Sequence, residues 1–578
     1  MNLYSQMPII RRLMYLLTLT VTLSGCVVYS ASSMPGATLP HPTTTPPPPE
    51  RPMPASTLVD LITAEKYIDA GRPDLALPYY IQQSKTTDDP AVLERAARLA
   101  LLIDHPQSAL DLSRQWHALQ PQNLAAESSL ASSLWHLGHY DETVPYLADI
   151  LKKDPHASFE DLLLSRLPAS PAELQQLQSA LDHLVQALPA SVEAHYVRAF
   201  WEAHQKNYEV ALKDCQQARE LENDFLPASL LQVQIYEMTQ RDTNALDLLH
   251  HLLHRYPDAD LLRQNEAALL IRMSRNAEAE ADYIFLAQRH PFDGDLWLAH
   301  ALLALQDQHL SAAAASLNML LKLQQHENDA HYYLGQIDLV NHKDVDALDQ
   351  FDAVTSGPDY LPALQASASL REKMNQTPQA LALIKHALVL HPDYYTPLTL
   401  IESDVLMTTH QDAQAAALLE DGLHRFPDNT DLLYARAMLA VDQNDLQKFE
   451  TDIRKVLAKD PHNAVALNAL GYTLADRTTR YQEAYAYIQE ALKLTPKDPA
   501  IIDSMGWVEY RLGHREQAET LLRQAWNIIH DDEIGSHYGE VLWVLGQKDE
   551  ANKVWQESLK TNPLSPYIPA TRKRLGAS

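Results

Sequence analysis

Along most of the chain, small apolar residues return at two fixed points of a repeating unit, and a proline closes it. The closing phrases include Leu119-Gln120-Pro121, Lys153-Asp154-Pro155, Arg255-Tyr256-Pro257, Arg425-Phe426-Pro427, Lys459-Asp460-Pro461, Leu494-Thr495-Pro496 and Thr561-Asn562-Pro563. Steps between them are 33 to 35 residues, or twice about 34 where Asn223, Gln325 or His530 replaces the proline. From Pro121 to Pro563 is 442 residues, thirteen steps of 34. Twelve residues before ten of these points stands an alanine, from Ala109 and Ala211 to Ala518 and Ala551. Earlier in each unit a second tight position holds Ala or Gly, as at Ala97, Ala199, Ala301, Gly471, Gly506 and Gly539. Small residues at two fixed points let two antiparallel helices approach closely, and proline ends the second. The pattern predicts an all-α chain of helical hairpins, each covering the apolar face of its neighbour.

About fifteen hairpins fit between residues 56 and 565, the first carrying Ala64 and Ala76; residues 566–578, with Arg572-Lys573-Arg574, follow as a tail or cap. The unit from His156 to Pro189 departs most, because Pro168 and Pro171 interrupt it. There Ser170-Pro171-Ala172-Glu173 reads as a helix cap followed by Pro in the first turn, so the second helix is expected to start at that point and the array to bend.

The period, the Gly/Ala positions and the closing Pro resemble the tetratricopeptide repeat. The clearest copies are Leu470-Gly471-Tyr472 with Ala484 and Pro496, and Met505-Gly506-Trp507 with Ala518 and Ala525. The resemblance implies a right-handed superhelical solenoid whose first helices line a concave face. Near the C-terminus the exposed inner positions would then be Asn468, Tyr472, Asp476, Asp503, Trp507, Tyr510, Arg511, Glu540 and Trp543. Aromatic rings beside carboxylates suit an extended peptide. The alternative, that Trp507 and Trp543 fill spaces between hairpins, is equally open at this point. The Lys/Asn/Arg clamp that chaperone-binding members use for C-terminal carboxylates is missing from these positions.

Composition narrows the function classes. With Lys+Arg 46 against Asp+Glu 75, the net charge of −29 repels phosphate backbones and argues against nucleic-acid binding. Only 15 of 578 residues are Gly, which argues against glycine-dependent turns at every few residues and against nucleotide-binding loops. Cys26 and Cys215 are the only cysteines, so no disulfide framework supports the fold.

Residues 1–25 read as an export signal: Arg11-Arg12, an apolar run from Leu13 to Leu23, then Leu23-Ser24-Gly25-Cys26. That tetrad resembles the lipobox of bacterial lipoproteins, which implies lipidation at Cys26 and stable anchoring without a membrane-spanning helix. Val27 stands where an Asp commonly retains such proteins in the inner membrane, so the resemblance implies the periplasmic face of the outer membrane. Residues 26–55 contain Thr43-Thr44-Thr45-Pro46-Pro47-Pro48-Pro49 and read as a proline-rich tether.

No arrangement for work at a bond emerges. The sequence has no Gly-rich phosphate loop, no His-Glu-x-x-His, no paired Cys for zinc and no Gly-x-Ser-x-Gly elbow. His250 and His254 share a helical face but lack a third ligand, and Cys215 reads as a small buried hydrophobe. Neither cofactor nor metal is expected, and the chain is read as a non-enzyme. The whole-length pattern resembles the large tetratricopeptide lipoproteins of Gram-negative bacteria, whose best-understood type (LbcA type) is the lipoprotein partner of a periplasmic carboxyl-terminal processing protease. That resemblance implies an adaptor presenting protein substrates, such as peptidoglycan hydrolases, to the protease. An assembly factor for an outer-membrane secretin or cell-wall synthase complex is the alternative.

Overall fold

The first helix of a typical hairpin is capped two residues after the closing proline, where a short polar side chain meets free amide groups. Asn123 accepts from Ala125 and Ala126, Asn429 from Asp431 and Leu432, and Asp498 from Ala500 and Ile501. These oxygens satisfy donors that the first turn leaves unpaired. Most second helices have no such cap. They follow a tight turn that carries one left-handed residue, with φ of 56° at Asp104, 64° at Lys206, 64° at Gln308, 56° at His410 and 57° at Asn444. Glycine takes this place at Gly71, Gly138, Gly513 and Gly546. The scarcity of glycine is therefore not a scarcity of left-handed turns. Ordinary side chains carry them, at a cost of about 1 kcal/mol each.

The structure, a computed structural model, describes residues 53–223 and 225–577. The expected leader, Cys26 and nearly all of the tether lie outside the described residues. Among the described residues there are 31 α-helices, one short 3-10 turn and no strand. They pair as fifteen hairpins, from Ala55–Asp69 with Pro73–Ser84 to Asp532–Val544 with Lys548–Thr561, and a single helix, Tyr567–Leu575, follows. The all-α hairpin array expected from the period is the fold observed.

The chain divides into two compact units, one ending at Met319 and one beginning at Leu320. In each, the small residues sit where helices touch. Ala97, Ala109, Ala199 and Ala211 are 0% exposed in the first, and Ala437, Ala484, Ala518 and Ala551 are 0% exposed in the second. At Gly471 a Cβ would stand 2.9 Å from the Ala484 carbonyl oxygen and 2.5 Å from Ile488 Cγ1, so the two helices of that hairpin close to backbone contact. Larger side chains fill the gaps between hairpins. Trp135, Tyr140, Leu163, Leu177 and Trp201 form one such core in the first unit, and Ile488, Met505, Trp507 and Val508 belong to another in the second.

In the interrupted unit the second helix starts at Pro171, as anticipated. Its first helix is cut to six residues, Glu160–Ser165, and its second runs 17 residues, Pro171–Ala187. Ser170 Oγ accepts from the Glu173 amide at 3.2 Å, while Glu173 accepts from the Ala169 amide at 3.0 Å and pairs with Arg166 at 3.2 Å. Leu163, 1% exposed, holds the shortened helix to the core.

Candidate protein-binding surface of the terminal hairpins

The nine positions expected on the inner face lie on three consecutive first helices: Ala464–Arg477, Pro499–Leu512 and Asp532–Val544. None of the nine is an exposed position, which corrects the expectation. Asp503, Trp507 and Glu540 are 4%, 3% and 1% exposed. Asn468, Tyr472, Asp476, Tyr510, Arg511 and Trp543 are half-buried. The physical reason is that this face closes on itself.

His537 does most of the closing. Its Nδ1 lies 2.9 Å from Asp503, and its ring stacks on Trp507 with centroids 4.2 Å apart. Tyr472 donates to Glu533 at 2.6 Å and stands 3.4 Å from His537 Nε2, so the first of the three helices reaches past the second to the third. Burial alone would lower the His537 pKa, but the charge and hydrogen bond of Asp503, with Glu533 and Glu540 nearby, raise it. Burial raises the Glu533 pKa, against the hydrogen bond from Tyr472. The Tyr472 hydroxyl is raised by burial and then by Glu533.

The remaining side chains are engaged in the same way. Glu540 accepts two bonds from Arg574 on the last helix, at 2.7 and 2.5 Å, and a third from Tyr510 at 3.2 Å. Burial and Glu540 push the Tyr510 hydroxyl up to about 12. Arg511 donates to the Tyr481 hydroxyl at 2.8 Å and lies over that ring, 5.0 Å from its centroid. Asp476 pairs with Arg477 at 3.0 Å. Trp543 packs against Trp555 at 5.7 Å with the Lys548 ammonium 4.8 Å from its ring centroid. Trp507 therefore fills space between hairpins, whereas Trp543 packs within its own hairpin. Two polar atoms of the set have no partner, Asn468 Oδ1 and Trp507 Nε1.

Sequence reasoning missed Glu533, His537 and Arg574. A usable signal was present: Asp503 and His537 are 34 residues apart, as are Glu540 and Arg574. Residues one period apart on first helices are spatial neighbours, so an acid and a base at that spacing predict a pair.

The other candidate chemistries have structural places. His250 Nε2 lies 2.7 Å from the buried Glu266. Among the described residues, no three His, Cys, Asp or Glu side chains converge to hold a metal ion, and His250 with His254 is no exception. Cys215 is 0% exposed, and burial together with Asp214 pushes its thiol up to about 12, far from a reactive thiolate.

Comparison with known proteins matches this architecture. The tetratricopeptide repeat family model matches residues 298–360, 404–464 and 435–499. A TPR repeat-containing protein of Pseudomonas aeruginosa is 35% identical over 484 residues, covering 84% of this chain and 82% of the relative. Among solved structures, yeast Tom70 aligns over 90% of this chain and 99% of its own at 12% identity, with a TM-score of 0.34. The Naa15/Naa10 complex with HypK-THB aligns over 75% of this chain and 70% of that one at 14% identity, with a TM-score of 0.35. By a relative of this identity and coverage, the chain belongs to the tetratricopeptide repeat proteins.

Proposed function

We propose that this protein is an adaptor, fastened through a lipidated Cys26 to the periplasmic face of the outer membrane. It binds a carboxyl-terminal processing protease and presents protein substrates to it, peptidoglycan hydrolases among them. The observation that carries this reading is the array itself: fifteen hairpins in succession make a long scaffold for other proteins. The Leu23-Ser24-Gly25-Cys26 tetrad supports the anchor, and the proline-rich stretch behind it supports a spacer from the bilayer.

The mechanism is effective concentration. Holding a protease and its substrate on one scaffold turns their encounter into a local event, and an anchor confines that event to one surface. The charge of −29 favours basic partners by steering, proteins that bind the cell wall among them.

Affinity purification of the full chain from detergent-solubilised envelopes tests the reading. Co-recovery of a serine protease with its substrates is the expected outcome. Recovery of a secretin or synthase subunit without a protease would favour the assembly-factor alternative and overturn the adaptor. Cys26→Ser is expected to shift the protein from the membrane to the soluble fraction; unchanged fractionation would remove the anchor from the proposal.

A further inference from the structure

At the start of the helix Tyr395–Thr408 the repeat departs from its own habit. Asp260, Thr430, Ala464 and Pro499 open first helices elsewhere, whereas here the opening residue is a tyrosine. The 3-10 turn Pro392–Tyr394 leads into it. The Tyr395 ring stands beside Phe426, which follows the helix Asp412–Arg425, with centroids 5.8 Å apart. Together with Leu388, Pro392 and Leu418, these rings line a cavity of about 420 Å³ within the second unit. Asp421 and Arg425 add one charge of each sign to its wall.

This wall faces solvent and is not core. Phe426 is 45% exposed, and at the end of the preceding helix, Thr377–Leu390, Val389 and Leu390 are 79% and 58% exposed. Tyr395 donates its hydroxyl to Asp421 at 2.9 Å. Arg425 pairs with the same carboxylate at 3.1 Å and lies 4.5 Å from the Tyr395 ring centroid. More than half of each charged side chain is exposed, so the pair contributes little and can be exchanged at small cost. A solvent-facing recess walled by aromatic rings suits a polyproline helix, which is already ordered before it binds.

A segment of that kind is written into this sequence. Four prolines in succession, Pro46-Pro47-Pro48-Pro49, favour the polyproline helix, in which Pro46 and Pro49 share a face about 9 Å apart. Glu50-Arg51 follow at once and offer an acid to Arg425 and a base to Asp421. Pro54, at the end of the same stretch, has φ −56° and ψ 141°, close to polyproline values. We infer that the recess at Tyr395 and Phe426 receives the segment Pro46–Arg51 of a second copy of this chain. Three residues join that segment to the helix Ala55–Asp69 in the first unit, whereas the recess belongs to the second. The donor is therefore a neighbouring copy. A contact of this head-to-tail kind lets copies associate in series. Neither the lipid anchor nor the protease enters this reading.

The test uses the full chain in mild detergent and a fluorescent peptide of residues 43–54, read by anisotropy at physiological salt. The peptide is expected to bind, and Phe426→Ala to weaken it about tenfold. Leu564→Ala, a truncation at another exposed apolar residue, is expected to stay within about twofold of the parent. A peptide with all four prolines changed to alanine should not bind. In sedimentation, the parent should associate as its concentration rises. Phe426→Ala, and the chain with Pro46, Pro47, Pro48 and Pro49 changed to alanine, should both stay monomeric.

A peptide that does not bind, or binds Phe426→Ala as well as the parent, overturns the inference. Peptide binding by a parent that stays monomeric overturns the second copy as donor and gives the recess to a proline-rich segment of another protein. Should Phe426→Ala not fold, the chain with the altered tract decides, because its recess is untouched and its association must still be lost. The envelope purification reads neither quantity, so the two readings fail separately.

Discussion

On the first helices of the terminal hairpins, buried carboxylates find their partners one period along the chain: Asp503 meets His537, and Glu540 meets Arg574. Beside the interrupted hairpin at residues 160–187 one buried carboxylate, Glu193, finds none, although Asp214 nearby is met by Arg198 and His195. Both places are built from paired helices stacked on neighbours. They differ in register. Where the period holds, an acid on one hairpin can be answered by a base on the next. Where the first helix is cut to six residues, that correspondence is lost. A carboxylate left over at a break in the repeat is thus a local exception to the rule that buried charges are paired.

The largest effect is expected from forcing the regular region into the state of the irregular one. Asp452 is 1% exposed and held by Arg436 at 2.8 and 2.9 Å. Arg436→Met keeps the apolar stem but leaves that carboxylate buried and uncompensated, at a cost of about 3–5 kcal/mol. Loss of hydrogen-exchange protection in the helices Thr430–Asp442 and Leu446–Lys459 is the readout. Adding Asp452→Asn should recover much of it. If Arg436→Met alone leaves protection intact, pairing is not what distinguishes the two regions.

Much of this architecture is legible in the order of residues alone. The spacing of Pro121, Pro257, Pro427 and Pro563 carries the array, and Ser170-Pro171 carries the start of a displaced helix. Gly471 is legible as a point of close approach, and the 2.9 Å between a Cβ placed there and the Ala484 carbonyl oxygen explains why. Gly471→Ala is accordingly expected to cost about 2 kcal/mol, since the clash with backbone outweighs the gain in helix propensity. Thermal melts of the parent and variant measure it; an unchanged melting temperature would mean that the two helices separate freely.

The inner face is harder to read. Period and position place Trp507 and Glu540 on the first helices, but exposure depends on what neighbouring turns place over them. Tyr472 reaches Glu533 across an intervening helix, a contact 61 residues long in sequence. No pattern within one repeat contains it. Glu193 escapes notice for a related reason: its isolation is a property of the folded chain, and a lone Glu in a helical first turn looks ordinary.

Removing the Glu193 charge tests the irregular region from the other side. A carboxyl whose folded pKa is raised from 4.5 to about 7 binds more protons folded than unfolded between those values. Its penalty is absent below the unfolded value, grows as pH rises through that window, and is complete above the folded value. Glu193→Gln should therefore stabilise the protein by about 2 kcal/mol above pH of about 7, after allowing for solvent at the rim, and by little at acid pH. Urea denaturation across pH reads the difference. A gain that is the same at every pH would show that the carboxyl titrates alike in the folded and unfolded chain, so that its charge carries no penalty.

The smallest effect concerns the break itself. Ser170 caps the helix Pro171–Ala187 through the Glu173 amide, and Glu173 returns a bond to the Ala169 amide while holding Arg166. Ser170→Ala removes one acceptor from a first turn that has few others, at about 1 kcal/mol. Because Arg166 also donates to Tyr140 at 3.3 Å, loosening that turn should spread to the preceding hairpin and leave the terminal hairpins untouched. Hydrogen exchange that rises in residues 160–187 and near Tyr140, and nowhere after Leu320, is the expected signature. A uniform rise along the chain would mean that the displaced helix start organises the whole array and is not a local repair where the repeat breaks.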